Sequence, residues 1–101
     1  MGKLVRDKIP EIMVKANKEP KTRVLKGDEY RRELYRKVGK ELREYRQAET
    51  TKDKAEEMGD IFTVLKALCE LDDVFIDDVM RKAEKKNIER GEFKEKIYLD
   101  I

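Results

Sequence analysis

The sequence predicts an all-α protein, a helical bundle of about four helices with minor extended segments near residues 22–25 and 96–101. Two long stretches carry apolar residues at three- and four-residue intervals, and polar caps or helix breakers sit where each begins and ends. Around those stripes Lys and Glu are interspersed, as on solvated helix faces supported by i,i+4 pairs. Charged residues make up 48% of the 101-residue chain, against a usual ~25%. That length fits one domain spanning residues 1–101.

In chain order, Asp7 is placed to cap a short helix over residues 8–17, with Ile9, Ile12, Met13 and Ala16 at helical spacing. Pro20 ends that region, and residues 22–25 read as a brief strand or extended piece broken by Gly27. Asp28 is the expected N-cap of a second helix reaching Ala48, with Tyr30, Leu34, Val38, Leu42 and Tyr45 as its apolar stripe. Thr50 or Thr51 caps a third helix to Leu71. Its broad apolar arc of Met58, Ile61, Phe62, Val64, Leu65, Leu68, Cys69 and Leu71 predicts a central, well-buried element. After an Asp72–Asp73 turn, a fourth helix turns Ile76, Val79, Met80 and Ala83 inward and ends at Arg90 and Gly91. The tail over residues 96–101 is expected to be extended, pairing with residues 22–25.

Composition excludes much chemistry. The 25 basic residues nearly balance 23 acidic ones, for a net charge of +2, which argues against a nucleic-acid partner. No apolar run approaches the ~18 residues of a membrane span, and no signal or lipidation motif is present. A cytoplasmic protein is expected. There is no histidine and a single cysteine, Cys69, so His-based nucleophile systems and His- or thiolate-ligated zinc are ruled out. Any enzyme here works with Asp, Glu, Lys, Arg, Tyr or a metal held by oxygen, which points to magnesium or manganese.

Two acidic pairs stand where apolar residues belong. At about 100° per residue, Val38, Tyr45 and Leu42 fall near +40°, +20° and +80° from Leu34, while Glu41 falls near −20° and Glu44 near −80°. On the third helix Glu57 and Asp60 bracket the direction of Val64. A carboxylate on a buried stripe is costly unless paired or metal-bound, and four converging carboxylates repel unless a cation sits among them. Acidic pairs from facing helices do build such bundle-core sites. The plain alternative is that these pairs are solvated or bridged to Lys, as most i,i+3 acidic pairs are. Gly39 and Gly59, beside Lys40–Glu41 and Asp60, either permit close helix approach or are neutral.

The pair Glu41 and Glu44 followed on the next helix by Glu57 and Asp60 resembles the all-α nucleoside triphosphate pyrophosphohydrolases, the MazG-like group. The opening Lys3, Leu4, Val5, Arg6, Asp7, Lys8, Ile9, Pro10 is similar to a branch described as phosphoribosyl-ATP pyrophosphohydrolase-like. So is the close, Arg81 to Glu84 and then Glu89 to Phe93 followed by a short apolar tail. The resemblance spans essentially the whole chain. It implies hydrolysis of an NTP at the α–β linkage to NMP and pyrophosphate, with Glu41, Glu44, Glu57 and Asp60 as catalytic residues holding magnesium. It implies Lys86, Asn87 and Arg90 as contacts to substrate phosphates or sugar, with Arg6 and Lys8 as further phosphate contacts. Arg90 equally suits a helix C-terminus, and Arg6 and Lys8 equally suit a solvated surface. The resemblance also implies a homodimer or homotetramer, in keeping with the wide apolar arc of the third helix. Two positions depart from the pattern: Lys40 stands where the family commonly has Glu, and Thr63 where many relatives carry Glu. The competing readings are phosphoribosyl-ATP hydrolysis in histidine biosynthesis and a non-catalytic helical interaction module.

Overall fold

The computed structural model describes residues 2–100 and contains four helices: α1 (Ile9–Lys15), α2 (Gly27–Gln47), α3 (Thr51–Leu71) and α4 (Ile76–Arg90). No strand forms among the described residues, so residues 22–25 and 96–100 are irregular chain. Ile101 lies outside the described residues. The expected pairing of the tail does not occur within the described part; Lys96, with φ +57°, breaks its extended run. The chain divides into two compact units, Met1–Leu68 and Cys69–Ile101. No helix among the described residues is long and apolar enough to cross a membrane.

The helix ends follow from local chemistry. Lys8, not Asp7, is the N-cap of α1, and Pro10 occupies its first turn, where its missing N–H costs nothing. Asn17 takes the left-handed conformation (φ 63°), and the Lys18 and Asn17 amides donate to the Met13 and Val14 carbonyls at 2.9 and 3.0 Å. This is the Schellman closure, with Asn in the role Gly usually fills. The end of α3 repeats it: Asp73 has φ 55°, and the Val74 and Asp73 amides donate to Cys69 and Glu70 at 2.8 and 3.3 Å. Lys26, not Asp28, is the N-cap of α2. Asp28 and Glu29 fall in the first turn instead, where negative charge complements the helix dipole. Glu29 also receives both arms of Arg23 at 2.6 and 3.0 Å, tying the preceding segment to α2. Thr50 caps α3 as expected, its hydroxyl accepting the Asp53 amide at 3.0 Å.

Within the first unit α2 and α3 run antiparallel along one seam. Near the connecting loop, the Lys54 ammonium donates to the Tyr45 carbonyl at 3.0 Å and lies 4.8 Å from the centre of the Tyr45 ring. Farther along, Leu34 of α2 and Ile61 and Val64 of α3 are the buried apolar residues. The remaining arc of α3 is less covered than its breadth predicts. Phe62 and Leu65 are exposed, as is Leu42 on α2. In the second unit the predicted inward face of α4 is open as well, with Ile76, Val79, Met80 and Ala83 all exposed. Periodicity marks a face as apolar and does not show that the same chain covers it.

Candidate functional site

Helical phase sets the site. Glu41 follows Leu34 by seven residues, two turns, so it continues the buried line of α2, and it is only 5% exposed. Glu57 precedes Ile61 and Val64 by one and two turns on α3 and enters the seam from the other side. Glu44, one turn past Glu41, is half-buried. Glu41, Glu44 and Glu57 therefore converge, each offering a carboxylate oxygen within 4.8 Å of the others.

Their electrostatics are uneven. Lys37 Nζ lies 3.5 Å from Glu41 Oε1 and Lys40 Nζ 3.6 Å from Glu44 Oε1. Glu41 Oε2 and Glu57 Oε2 are buried with no hydrogen-bond partner. An unpaired buried acceptor costs about 1–3 kcal/mol, and more when it is charged. Burial, then hydrogen bonding to Glu41, then the charge of Glu44 push the Glu57 carboxyl up to about 7. Burial acts to raise Glu44 too, but hydrogen bonding to Glu41 and the charge of Lys40 outweigh it and lower its pKa. Glu44 is thus held toward its anion and Glu57 toward its protonated form.

Asp60, the fourth expected ligand, is not gathered with the three glutamates. Its Oδ1 accepts Arg6 at 2.6 Å, and Arg6 also reaches the Thr63 hydroxyl at 3.5 Å. That hydroxyl donates back to the Gly59 carbonyl at 3.1 Å. Arg6 thus engages α3 one turn from Glu57, and Thr63 is part of its docking point. Lys8 is exposed at the start of α1. Lys86, Asn87 and Arg90 lie on α4 in the second unit. Lys86 and Arg90 line a shallow recess with Lys82, Lys85 and Glu89, while Asn87 is half-buried and its backbone carbonyl accepts the Gly91 amide at 2.9 Å. The glycines are neutral: a Cβ at Gly59 meets nothing within 4 Å, and one at Gly39 meets only the end of Arg43 at 3.7 Å.

Lys37–Glu41 and Lys40–Glu44 are the lysine bridges that the plain alternative expects, and Lys37 is the one residue here that the sequence reading did not name. Their signal was available, since each lysine stands four residues before a flagged glutamate and so on the same face. The set of groups here is three carboxylates and two ammoniums without a histidine or thiolate, which fits a hard divalent ion. Comparison with protein-family models, with curated proteins and with solved structures found no match.

Proposed function

We propose that this chain is a magnesium-dependent nucleoside triphosphate pyrophosphohydrolase, taking NTP and water to NMP and pyrophosphate, with manganese as an alternative ion. The observation that carries the reading is the convergence of Glu41, Glu44 and Glu57 from two helices, with Glu41 Oε2 and Glu57 Oε2 buried and unpartnered. A buried acceptor without a donor is retained in a fold when something else satisfies it, and oxygen-only ligands select magnesium or manganese over softer metals.

Glu41 Oε2 and Glu57 Oε2, the unpartnered oxygens, would hold the ion beside the anionic Glu44. Bound magnesium supplies charge neutralisation and alignment of the phosphates, the chief requirements of phosphoryl transfer. A carboxylate oxygen not engaged with the ion orients the attacking water. Asp60 would join this set only if freed from Arg6; Arg6 and Lys8 are candidate phosphate contacts in the first unit, and Lys86, Asn87 and Arg90 are candidate phosphate or sugar contacts in the second. The setting is cytoplasmic, the role is the removal of surplus or aberrant nucleotides, and the working form is a homodimer or homotetramer.

A pyrophosphate-release screen over canonical and damaged NTPs plus phosphoribosyl-ATP, with magnesium or manganese, tests the reading. Turnover of an NTP that is lost in Glu57→Ala is expected. Preference for phosphoribosyl-ATP assigns the chain to histidine biosynthesis instead. No magnesium binding by calorimetry, and no change on Glu57→Ala, leaves the interaction module.

A further inference from the structure

Arg6 belongs to the irregular segment before α1, and it is fixed at both ends. Its backbone carbonyl accepts the Ile9 amide at 3.0 Å in the turn that starts the helix, and Leu4 and Val5 beside it are half-buried. Its guanidinium donates through Nη2 to Asp60 Oδ1 at 2.6 Å. The same nitrogen comes within 3.5 Å of the Thr63 hydroxyl. That hydroxyl directs its own proton to the Gly59 carbonyl, so only lone pairs face Arg6. Asp60 follows Glu57 by three residues, a rise of about 4.5 Å along α3, which places the guanidinium about one turn from the three glutamates.

Other arginine–carboxylate pairs of the chain are local and closed. Arg23 gives both arms to Glu29, six residues away, and Arg36 pairs with Glu33 on its own helix. Arg6 instead reaches across 54 positions and engages Asp60 with one nitrogen. Among the described residues nothing accepts from its Nε or Nη1, and its side chain is 56% exposed. An exposed ion pair adds little stability, so burial of Leu4 and Val5 is the larger hold on this segment. What the pair does achieve is a guanidinium of set direction with donors to spare. Such donors suit phosphate oxygens, to which they make charge-assisted hydrogen bonds, and a fixed cation offsets the repulsion between a phosphate and the neighbouring carboxylates.

Resting on the nucleotide site proposed above, we infer that Asp60 and Thr63 are positioning residues that hold Arg6 ready to take a substrate phosphate. Asp60 serves the substrate through Arg6 and does not ligate the ion, whose ligands are drawn from Glu41, Glu44 and Glu57. Asp60 Oδ1 fixes Nη2, Thr63 limits the swing of the guanidinium, and Nε and Nη1 are left for the phosphate.

Calorimetry with inorganic tripolyphosphate, magnesium being in fixed excess, tests the phosphate contact; electron paramagnetic resonance measures manganese binding separately. Asp60→Asn and Arg6→Gln should each weaken tripolyphosphate about tenfold. The double variant should weaken it no further, because Asp60 acts through Arg6. The direction in Asp60→Asn is decisive: a carboxylate merely standing near the site repels a polyanion, so its loss would tighten binding. Thr63→Val should show a smaller loss. Manganese affinity in Asp60→Asn should fall far less than in Glu57→Gln. Arg23→Gln, which removes another exposed pair of the same unit, should leave both ligands unaffected, and circular dichroism reports that each variant is folded. Tripolyphosphate that does not bind, that binds folded Asp60→Asn unchanged or more tightly, or that is weakened further in the double variant overturns the positioning role and leaves the cation site standing. Manganese weakened in Asp60→Asn as far as in Glu57→Gln also overturns it, by making Asp60 a ligand. No manganese bound by the wild type overturns both.

Discussion

Glu57 holds a buried oxygen with no partner and a carboxyl pushed up to about 7 by burial and by Glu41 and Glu44. If the proposed cation site forms, a proton and a divalent ion would compete for Glu57. Metal binding at pH 6 should release about one proton per ion, and at pH 8.5 almost none, as read by calorimetry in buffers of different ionisation enthalpy. The same shift sets the stability of the ion-free protein. A carboxyl raised from 4.5 to about 7 contributes stability that is fully present below about 4.5 and lost as pH rises through about 7. Glu44, lowered by hydrogen bonding and Lys40 against the effect of burial, contributes above 4.5 and loses its contribution as pH falls through its folded value. With a chelator present, the thermal midpoint should be higher at pH 5.5 than at pH 8, and Glu57→Gln should remove most of that difference. An equal gap in wild type and variant would show that Glu57 does not carry it. The position of Glu41 was legible, because a wheel built on Leu34 puts it inside the apolar arc. The Arg6–Asp60 pair was not, because contacts between residues 54 apart in sequence leave no periodic trace.

At the scale of helices, existence and order were readable and caps less so. Asp7 and Asp28 have the right chemistry for N-caps, yet Lys8 and Lys26 hold those positions. Several polar residues flank each start, and the backbone entry decides among them: Pro10 sets the first turn of α1, and Gly27, with φ +55°, lets α2 begin one residue before Asp28. Of the two candidates at α3, Thr50 and Thr51, it is Thr50 whose hydroxyl accepts the Asp53 amide. Thr50→Ala should cost about 1 kcal/mol of unfolding free energy by losing its bond to the Asp53 amide. Gly59→Ala works in the other direction. A Cβ there meets nothing, so the helix keeps its packing and gains the ~0.8–1 kcal/mol by which Ala exceeds Gly in an interior turn. Urea denaturation measures both. A destabilised Gly59→Ala would mean that α3 needs the glycine for a close approach by something outside this chain.

For the molecule as a whole, the question is what lies against its apolar faces. Helical spacing shows which side of a helix is apolar and is silent on whether the same chain or another covers it. In the first unit Phe62 is 66% exposed and Leu65 41%; in the second, Met80 is 63% and Ile88 76% exposed. Isolated exposed apolar residues are ordinary, but several on one helix in water favour association through burial worth about 25 cal/mol per Å². A chain of 12.0 kDa also buries a smaller fraction of its surface than larger domains do, so association is the available route to a fuller core. Light scattering across micromolar concentrations should give a mass of two or four chains. Phe62→Asp combined with Leu65→Asp should shift it toward one chain, because each aspartate must then be desolvated for α3 to be covered. The paired measurement is manganese binding. Glu41, Glu44 and Glu57 come from one chain, so a folded monomeric variant should still bind the ion, whereas loss of the ion with the partner would place part of its ligand set on the second copy.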